Sequence, residues 1–286
     1  MLKTQIALHF AGGGAYFTGV AVMLLAAVIA LHRRTRRQRK SARLLIMLGV
    51  VFVLLSSTPA PWPLYACWSI ATTLWMSLQW PSNAAMPKLT ISASVFLIVV
   101  CVAAVAWELP RRRLPRLGPQ GRLTVYVIGD SISAGLTRAD HTWPKVLAAD
   151  PAIEVIDLSK AGAIVETAML QARQVRSGVS VVVLEIGGND LLGGTSAAEF
   201  EKGLRRLLTH LSAPDRRLVM FELPLPPFFH RYGWIQRRLA EEFDVSLIPK
   251  RVLAGVFADR EATLDGLHLS DAGHRRLAAT VGQVFR

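Results

Sequence analysis

The stretch LTVYVIGDS, residues 123–131, decides the fold of the second half of this chain. Its run from Leu123 to Ile128 is apolar almost throughout, and a Gly-Asp-Ser turn follows directly. A short apolar run that ends in a glycine-containing turn is typical of a buried strand in a parallel sheet. The turn would place Ser131 at the carboxyl end of that strand, which is the edge where open α/β sheets bind their ligands.

The same pattern continues to the end of the chain, as apolar runs alternate with helix-like segments. Strands are predicted at residues 123–128, 153–156, 179–186, 217–223 and 245–248. Helices are predicted near residues 141–149, 163–177, 197–211, 233–243 and 271–284. Such alternation, with strands apolar on both faces, predicts an α/β fold in which helices cover both sides of a parallel five-stranded sheet.

The N-terminal part of the chain has a different composition. Residues 1–122 hold 14 Lys and Arg and a single acidic residue, whereas residues 123–286 hold 19 basic and 19 acidic residues. The whole net charge of +13 therefore belongs to the N-terminal part, where it lies in short loops beside apolar segments. This distribution indicates membrane topology and not nucleic-acid binding.

Apolar runs in this part predict an all-α transmembrane region over residues 1–110. Spans are predicted near residues 5–31, 44–60 and 90–109. A cleaved signal peptide fits poorly, because the charges follow the first apolar run instead of preceding it and the run is too long.

Residues 64–80 and 111–122 complete the predicted membrane region and its connection. The first segment carries Ser, Thr and Gln together with Trp68, Trp75 and Trp80, which suggests an aromatic belt. It is predicted to be an interfacial or re-entrant helix, with a fourth span as the alternative. Residues 111–122 are basic and rich in Pro and Gly, and they form the predicted linker to a domain at 123–286.

Two basic clusters predict the orientation in a bacterial inner membrane. Residues 32–43 hold seven Lys and Arg, and residues 111–122 hold five. The positive-inside rule places both clusters in the cytoplasm, and an even number of spans must then separate them. The domain at 123–286 is therefore predicted on the cytoplasmic side, whereas a span at 64–80 would place it outside.

Four blocks of the C-terminal domain supply the parts that acyl transfer requires. These are Gly129-Asp130-Ser131, Gly162, Gly187-Gly188-Asn189-Asp190 and Asp265-Gly266-Leu267-His268. Acyl transfer needs a serine activated by a histidine, a carboxylate that holds the histidine, and donors for the oxyanion. The first three blocks each follow a predicted strand and would meet at the same edge of the sheet.

The roles follow from the residue types in these blocks. Ser131 is the candidate nucleophile, His268 the base and Asp265 its orienting acid. Oxyanion donors would be the backbone N–H groups of Ser131 and Gly162 and the side-chain amide of Asn189. The alternatives are structural roles, in which Ser131 caps the next helix, Gly162 is an ordinary turn glycine and His268 is a surface histidine. Asp130 and Asp190 are expected to be structural, and His274, inside the last predicted helix, is expected at the surface.

In spacing and order the four blocks resemble the signature blocks of the SGNH, or GDSL-type, hydrolases across residues 123–286. The runs VVLEIGGND, residues 182–190, and EFDVSLIP, residues 242–249, are similar to the bacterial acyl-thioesterase, lysophospholipase and arylesterase branch. Lys160 and Ala161 before Gly162, and Leu269 after His268, depart from the usual pattern. The resemblance does not cover residues 1–120.

The resemblance implies a flavodoxin-like, three-layer sandwich and a serine ester hydrolase that forms an acyl-serine intermediate. It also implies an acylated, lipid-like substrate, such as a lysophospholipid, an acyl thioester or a simple ester. The alternatives are an O-deacetylase of an envelope carbohydrate and a non-catalytic membrane scaffold or partner subunit.

The remaining signals concern a loop and possible metal ligands. The proline-rich loop at 223–234 contains Phe228 and Phe229, which either line an acyl pocket or pack into the domain. No His, Cys or Asp cluster has metal-ligand spacing, so neither a metal nor another cofactor is expected. The two cysteines, Cys67 and Cys101, both lie in the apolar half and imply no disulfide framework.

Overall fold

A computed structural model describes residues 2–32, 36–79, 87–118, 121–137 and 139–286. The chain divides into two compact units. The sheet unit comprises residues 1–8, 113–224 and 231–286, and the helical unit comprises residues 9–112 and 225–230. Residues 33–35 of the predicted basic loop, Trp80, and residues 119–120 of the predicted linker lie outside the described residues.

The sheet unit contains a five-stranded parallel sheet with the strand order β2-β1-β3-β4-β5. Val125 of β1 is in register with Val155 of β2 on one side and with Val181 of β3 on the other. Every residue of β3 is buried, as a central strand covered on both faces requires. The predicted fold class is confirmed. The strands are β1 (Leu123–Gly129), β2 (Ile153–Asp157), β3 (Ser180–Glu185), β4 (Arg216–Phe221) and β5 (Val245–Ile248).

Helices cover the sheet, and each of the five predicted ones is present within a few residues of its predicted ends. One face of the sheet packs against α7, α12 and α13 through a shared apolar core. Three short helices, α6, α9 and α12, were not predicted. The helices are α6 (Ser131–Ala134), α7 (Trp143–Leu147), α8 (Val165–Ala172), α9 (Gly188–Leu192), α10 (Ala197–Leu211), α11 (His230–Glu242), α12 (Arg251–Phe257) and α13 (Asp271–Gly282).

The predicted span at 5–31 is interrupted by Gly12 and Gly13. Helix α1 covers Leu2–Ala11 and α2 covers Gly14–His32. Gly13 adopts a φ of 76°, a left-handed conformation that an L side chain rarely tolerates, and it ends α1. The first eight residues of the chain group with the sheet unit, and the rest of the segment groups with the helical unit.

Four helices, α2 to α5, make up most of the helical unit, in which α3 covers Arg36–Leu55, α4 covers Trp62–Leu78 and α5 covers Pro87–Glu108. Helices α2 and α3 meet at Gly19 and Gly49. A Cβ atom added to Gly19 would lie 2.6 Å from the carbonyl oxygen of Gly49, so only glycine permits this approach. Within the described residues, two helical segments are long and apolar enough to cross a membrane, Gly14–Leu31 and Lys88–Arg112.

The tryptophans of α4 contradict the aromatic-belt interpretation. Trp68 and Trp75 are 5% and 0% exposed, and they lie in the core of the helical unit. The Trp75 indole N–H donates a hydrogen bond of 3.0 Å to Ser94 Oγ on α5. Composition alone suggested an interfacial position for these two side chains. Their burial in the helical unit comes instead from packing between helices, which composition does not show.

Candidate active site

The nucleophile candidate stands at the end of β1. Asp130 caps the one-turn helix α6 by accepting a 2.9 Å hydrogen bond from the N–H of Ile132. Ser131 is the first residue of that helix and is half-buried. A Cβ atom on Gly129 would lie 2.6 Å from Ser133 Oγ, so the turn closes tightly around the strand end. The short, capped turn holds Ser131 at the carboxyl end of the central sheet.

Asp265 and His268 form a hydrogen-bonded pair in the loop before α13. His268 Nδ1 lies 2.7 Å from Asp265 Oδ2. The other carboxylate oxygen accepts the backbone N–H groups of Leu267 at 2.9 Å and His268 at 2.8 Å. The bond from His268 and these N–H donors hold the pKa of Asp265 well below its ordinary value. An ionised carboxylate only accepts hydrogen bonds, so His268 Nδ1 carries the hydrogen and Nε2 is the ring nitrogen that can accept a proton.

The charge of His268 is one of several influences on the pKa of Asp130, the residue directly before Ser131 in the turn at 129–133, here called the nucleophile turn. Burial raises the pKa of Asp130, while the Ile132 N–H, Glu185 and the charge of His268 oppose the rise.

The candidate oxyanion donors converge on this turn from the ends of β2 and β3. The Asn189 amide donates to the carbonyl of Ala163 at 3.0 Å and to Asp130 Oδ2 at 3.3 Å. Gly162, next to Ala163, has a φ of 76°, and the space that its Cβ would occupy is open. The chain elements bearing Ser131, Gly162 and Asn189 are thus tied together by hydrogen bonds.

Asp190 is hydrogen-bonded to the loop that follows Gly162. Its Oδ2 accepts the N–H of Val165 at 2.9 Å, and the side chain is 2% exposed. Burial raises the pKa of Asp190 against the effect of this hydrogen bond. The carboxylate joins the first turn of α8 to α9, which is the structural position expected from the sequence.

His274 was expected at the surface, and that prediction is wrong. The side chain is 2% exposed, and its Nδ1 accepts a 3.1 Å hydrogen bond from the backbone N–H of Trp143. Burial lowers the pKa of His274, with Asp140 and Asp271 acting in the opposite direction and Lys145 adding to the decrease. His274 therefore joins α13 to α7 as a neutral acceptor.

Sequence reasoning missed the polar side chains beneath the nucleophile turn. Glu185, the last residue of β3, is 3% exposed and accepts a 2.9 Å hydrogen bond from Ser133 Oγ. Ser133 in turn accepts the indole N–H of Trp143 at 3.1 Å. The available signal was an acidic residue inside the apolar run VVVLEI, residues 181–186, where a charge is out of place.

Phe228 and Phe229 belong to a segment, residues 225–230, that groups with the helical unit. There Ser57 Oγ donates to the carbonyl of Pro226 at 2.6 Å. Phe228 is 73% exposed and has a φ of 72°, and Phe229 is 38% exposed. Their role in binding an acyl chain stays a prediction.

Within the parts of the chain that the structure describes, no three His, Cys, Asp or Glu side chains cluster in a way that could hold a metal ion.

Comparison with known proteins agrees with this geometry. Residues 127–276 match the model of the GDSL-like lipase/acylhydrolase family, which is more than half of the chain. The chain belongs to this family.

Two relatives and one solved structure illustrate how far the similarity extends. Thioesterase 1/protease 1/lysophospholipase L1 of Escherichia coli K12 is 31% identical over 141 residues, which cover 44% of this chain and 65% of that protein, just under two thirds. Esterase TesA of Pseudomonas aeruginosa is 28% identical over 169 residues, which cover 54% of this chain and 81% of that protein. The psychrotrophic esterase EstA from Pseudoalteromonas sp. has the same fold, with a TM-score of 0.50 at 17% identity over 56% of this chain and 95% of EstA.

Proposed function

We propose that this GDSL-type hydrolase is membrane-anchored and cleaves acyl esters or thioesters of a lipid-like substrate through an acyl-Ser131 intermediate. The observation that carries the proposal is the contact between His268 Nδ1 and Asp265 Oδ2, 2.7 Å apart, in a chain whose candidate nucleophile, Ser131, begins the short helix after β1. A histidine held by a carboxylate is the base and orienting acid that a serine nucleophile requires.

The reaction follows from the roles of these groups. Ser131 Oγ attacks the acyl carbon while His268 Nε2 takes the hydroxyl proton, and Asp265 stabilises the resulting imidazolium. The negative charge on the former carbonyl oxygen is received by the N–H groups of Ser131 and Gly162 and by the Asn189 amide. His268 then protonates the leaving alcohol or thiol, and a water molecule, activated by the same histidine, hydrolyses the acyl-serine.

The substrate class rests on the relatives. The E. coli relative is named for thioesterase, protease and lysophospholipase activities, and the P. aeruginosa relative is named an esterase. An acyl group attached through oxygen or sulfur is common to the esterase, thioesterase and lysophospholipase names. We therefore assign an acyl ester or thioester to this chain, and the membrane anchor favours an amphiphilic one.

Anchoring is supported by the outer surface of the helical unit. Large apolar side chains on α2, α3, α4 and α5 are exposed, where a water-soluble bundle would carry polar ones. Helix α3 shows this most clearly, because its exposed residues recur at helical spacing. The exposed set includes Leu25, Val28, Leu44, Met47, Leu48, Val51, Leu54, Ile70, Leu74, Val95, Val99 and Val102.

The side of the membrane decides between two substrate classes. The basic clusters at 32–43 and 111–122 favour a cytoplasmic hydrolase domain, with access to acyl thioesters. One observation favours a second candidate: α4 is packed against α5 through Trp75 and Ser94, as a fourth span would be. In that case the domain faces outward, and an O-deacetylase acting on an envelope carbohydrate becomes the function.

Ser131→Ala in the full chain tests the proposal, with the exposed Ser177→Ala as a matched control. A fluorophosphonate probe should label the wild type and Ser177→Ala but not Ser131→Ala, and ester turnover should fall by about 10⁴-fold or more. Near-normal turnover in Ser131→Ala would refute the proposal. A non-catalytic scaffold would show neither labelling nor turnover in the wild type.

Two further measurements choose between the candidates. A panel of acetyl and long-chain esters separates deacetylase from acyl-ester hydrolase activity. Alkaline phosphatase and a fluorescent protein, each fused to the C-terminus, report the side. Phosphatase activity with a dark fluorescent fusion would contradict the cytoplasmic assignment.

A further inference from the structure

Two buried carboxyl groups lie side by side beneath the nucleophile turn. Asp130 and Glu185 are each 3% exposed, and their side chains are hydrogen-bonded to each other. Glu185 stands at the end of β3, in register with Gly129 of β1. Two ionised carboxylates can only accept hydrogen bonds, so this contact requires a proton between them.

Burial and the neighbouring charge of Asp130 favour the proton on Glu185, against the hydrogen bond that Glu185 accepts from Ser133. Ser133 Oγ in turn accepts from Trp143 Nε1–H. Asp130 accepts from the Ile132 backbone N–H and from the Asn189 amide, and both hydrogen bonds favour its ionised form. Burial, reinforced by the charge of Asp130, raises the pKa of Glu185 well above its ordinary value.

The other charged groups that act on the pair are few. Asp190 raises the pKa of Asp130 and His268 lowers it. The charge of His268 therefore favours the ionised form of Asp130, whereas the charge of Asp130 raises the pKa of Glu185. The result is one neutral acid and one carboxylate in direct contact.

The chain of hydrogen bonds leads from this pair to Asn189. The two amide hydrogens of Asn189 point to the Ala163 carbonyl at 3.0 Å and to Asp130 Oδ2 at 3.3 Å. The second contact is long for an N–H···O hydrogen bond, so its hydrogen is the one that an oxyanion can recruit. How strongly Asp130 holds this hydrogen depends on what else Asp130 accepts.

We propose that Glu185 is a positioning residue for the proposed acyl transfer. As a neutral acid it donates to Asp130, which then holds the Asn189 amide only weakly and leaves it able to bind the oxyanion. Without the Glu185 hydroxyl, Asp130 loses a donor and draws the Asn189 hydrogen toward itself. This inference rests on the proposed function of Asn189, and Glu185 itself does not touch the substrate.

A double-mutant cycle tests the dependence on Asn189. Asn189→Ala should lower kcat by about 10²–10³-fold with little change in KM, since the amide acts on charge that develops in the transition state. Glu185→Ala should lower kcat by a smaller factor, also without raising KM. The double variant should be no slower than Asn189→Ala alone, because Glu185 acts through that amide.

Glu185→Gln provides a test that does not remove the side chain. The glutamine oxygen can accept from Ser133 and its N–H can donate to Asp130, so kcat should stay within about threefold of the wild type. The infrared spectrum of the wild type should contain a carboxylic-acid C=O band that Glu185→Gln removes. The exposed Glu166→Gln serves as the control and should leave the band unchanged.

The results distinguish the two proposals. If the fluorophosphonate fails to label wild-type Ser131, the proposed function fails and Glu185 has no reaction to support. If labelling succeeds, multiplicative kcat losses in the double variant would overturn the positioning role. So would a folded Glu185→Gln with a large loss of kcat, or an infrared band that this substitution leaves in place. If Glu185→Ala does not fold, Glu185→Gln and the infrared band decide the question.

Discussion

Replacing Asp265 with asparagine should damage catalysis more than replacing it with alanine. Asp265 Oδ1 accepts two backbone N–H groups, from Leu267 and His268. In Asp265→Asn the amide oxygen must keep that place, because an NH₂ group there would face two donors. The NH₂ group then points at His268 Nδ1 and donates to it.

The size of the effect follows from this forced orientation. When His268 Nδ1 accepts a hydrogen bond, the single hydrogen of the neutral imidazole must be on Nε2. Nε2 then cannot accept the proton of Ser131. Loss of the correct tautomer in a serine triad costs about 10⁴-fold in kcat. Asp265→Ala leaves Nδ1 open to water and the tautomer free, and general-base catalysis that is impaired but not blocked should cost about 10²-fold. Asp265 is 55% exposed, so water can reach this position.

Initial rates with a p-nitrophenyl acyl ester measure the difference in kcat between the two variants. The thermal melting temperature shows how far each substitution destabilises the loop that holds Asp265. Asp265→Asn keeps the acceptor for both N–H groups and should melt close to the wild type. Asp265→Ala loses that acceptor and should melt earlier while remaining the faster enzyme. Equal rates for the two variants, or a faster Asp265→Asn, would refute the tautomer reasoning.

Three further predictions concern other parts of the chain. Burial lowers the pKa of His274. The ordinary pKa of histidine is 6.5, so below this pH His274 binds a proton in the unfolded state more readily than in the folded state. The free energy of unfolding should therefore decrease as the pH falls. Denaturant unfolding at pH 8 and pH 5.5 checks this, and a His274→Asn variant with an unchanged pH dependence would contradict it. Gly19→Ala should destabilise the detergent-solubilised protein by about 1–3 kcal/mol, because its Cβ would lie against the Gly49 carbonyl. Gly255→Ala, which meets open space on α12, should not destabilise it, and equal melting shifts would argue against close packing of α2 and α3. Phe228→Ala should reduce activity on long-chain esters more than on acetyl esters if the loop binds acyl chains, since each buried CH₂ contributes about 0.8 kcal/mol; equal losses would point to packing alone.

The fold was predictable because its signal is local. Each strand is a short apolar run that ends in a turn, and parallel connection brings the turns after β1, β2 and β3 to one edge. This reasoning already placed Ser131, Gly162 and Asn189 on the same side of the sheet. The helices α6 and α9 were missed because a single turn is too short to show a helical period.

The buried polar contacts were harder to predict because they join distant parts of the chain. Glu185 is bonded to Ser133 and Asp130, more than fifty residues away, and no local pattern marks such partners. His274 could have been placed correctly, since its spacing to Leu277, Ala278 and Val281 puts it on the apolar face of α13.

In the N-terminal helical region, composition predicted the apolar segments but not their conformation. Hydropathy identified the apolar run at 5–31 but not the break at Gly13, because that break depends on a backbone angle that only glycine readily adopts. In the same way, the tryptophans of α4 have the composition of a lipid interface but the burial of a protein core.

The loop at 225–230 makes the protein less modular than its sequence suggests. Composition changes near residue 112 and suggests two separate parts. Residues 225–230 nevertheless group with the helical unit. Leu225 is fully buried, and its N–H donates to the carbonyl of Ala11 at 3.2 Å. A hydrolase expressed from residue 113 onward would expose this leucine and leave the loop without its partners. Recombination that exchanged the helical unit would likewise have to exchange the loop, so residues 9–112 and 225–230 are expected to evolve together.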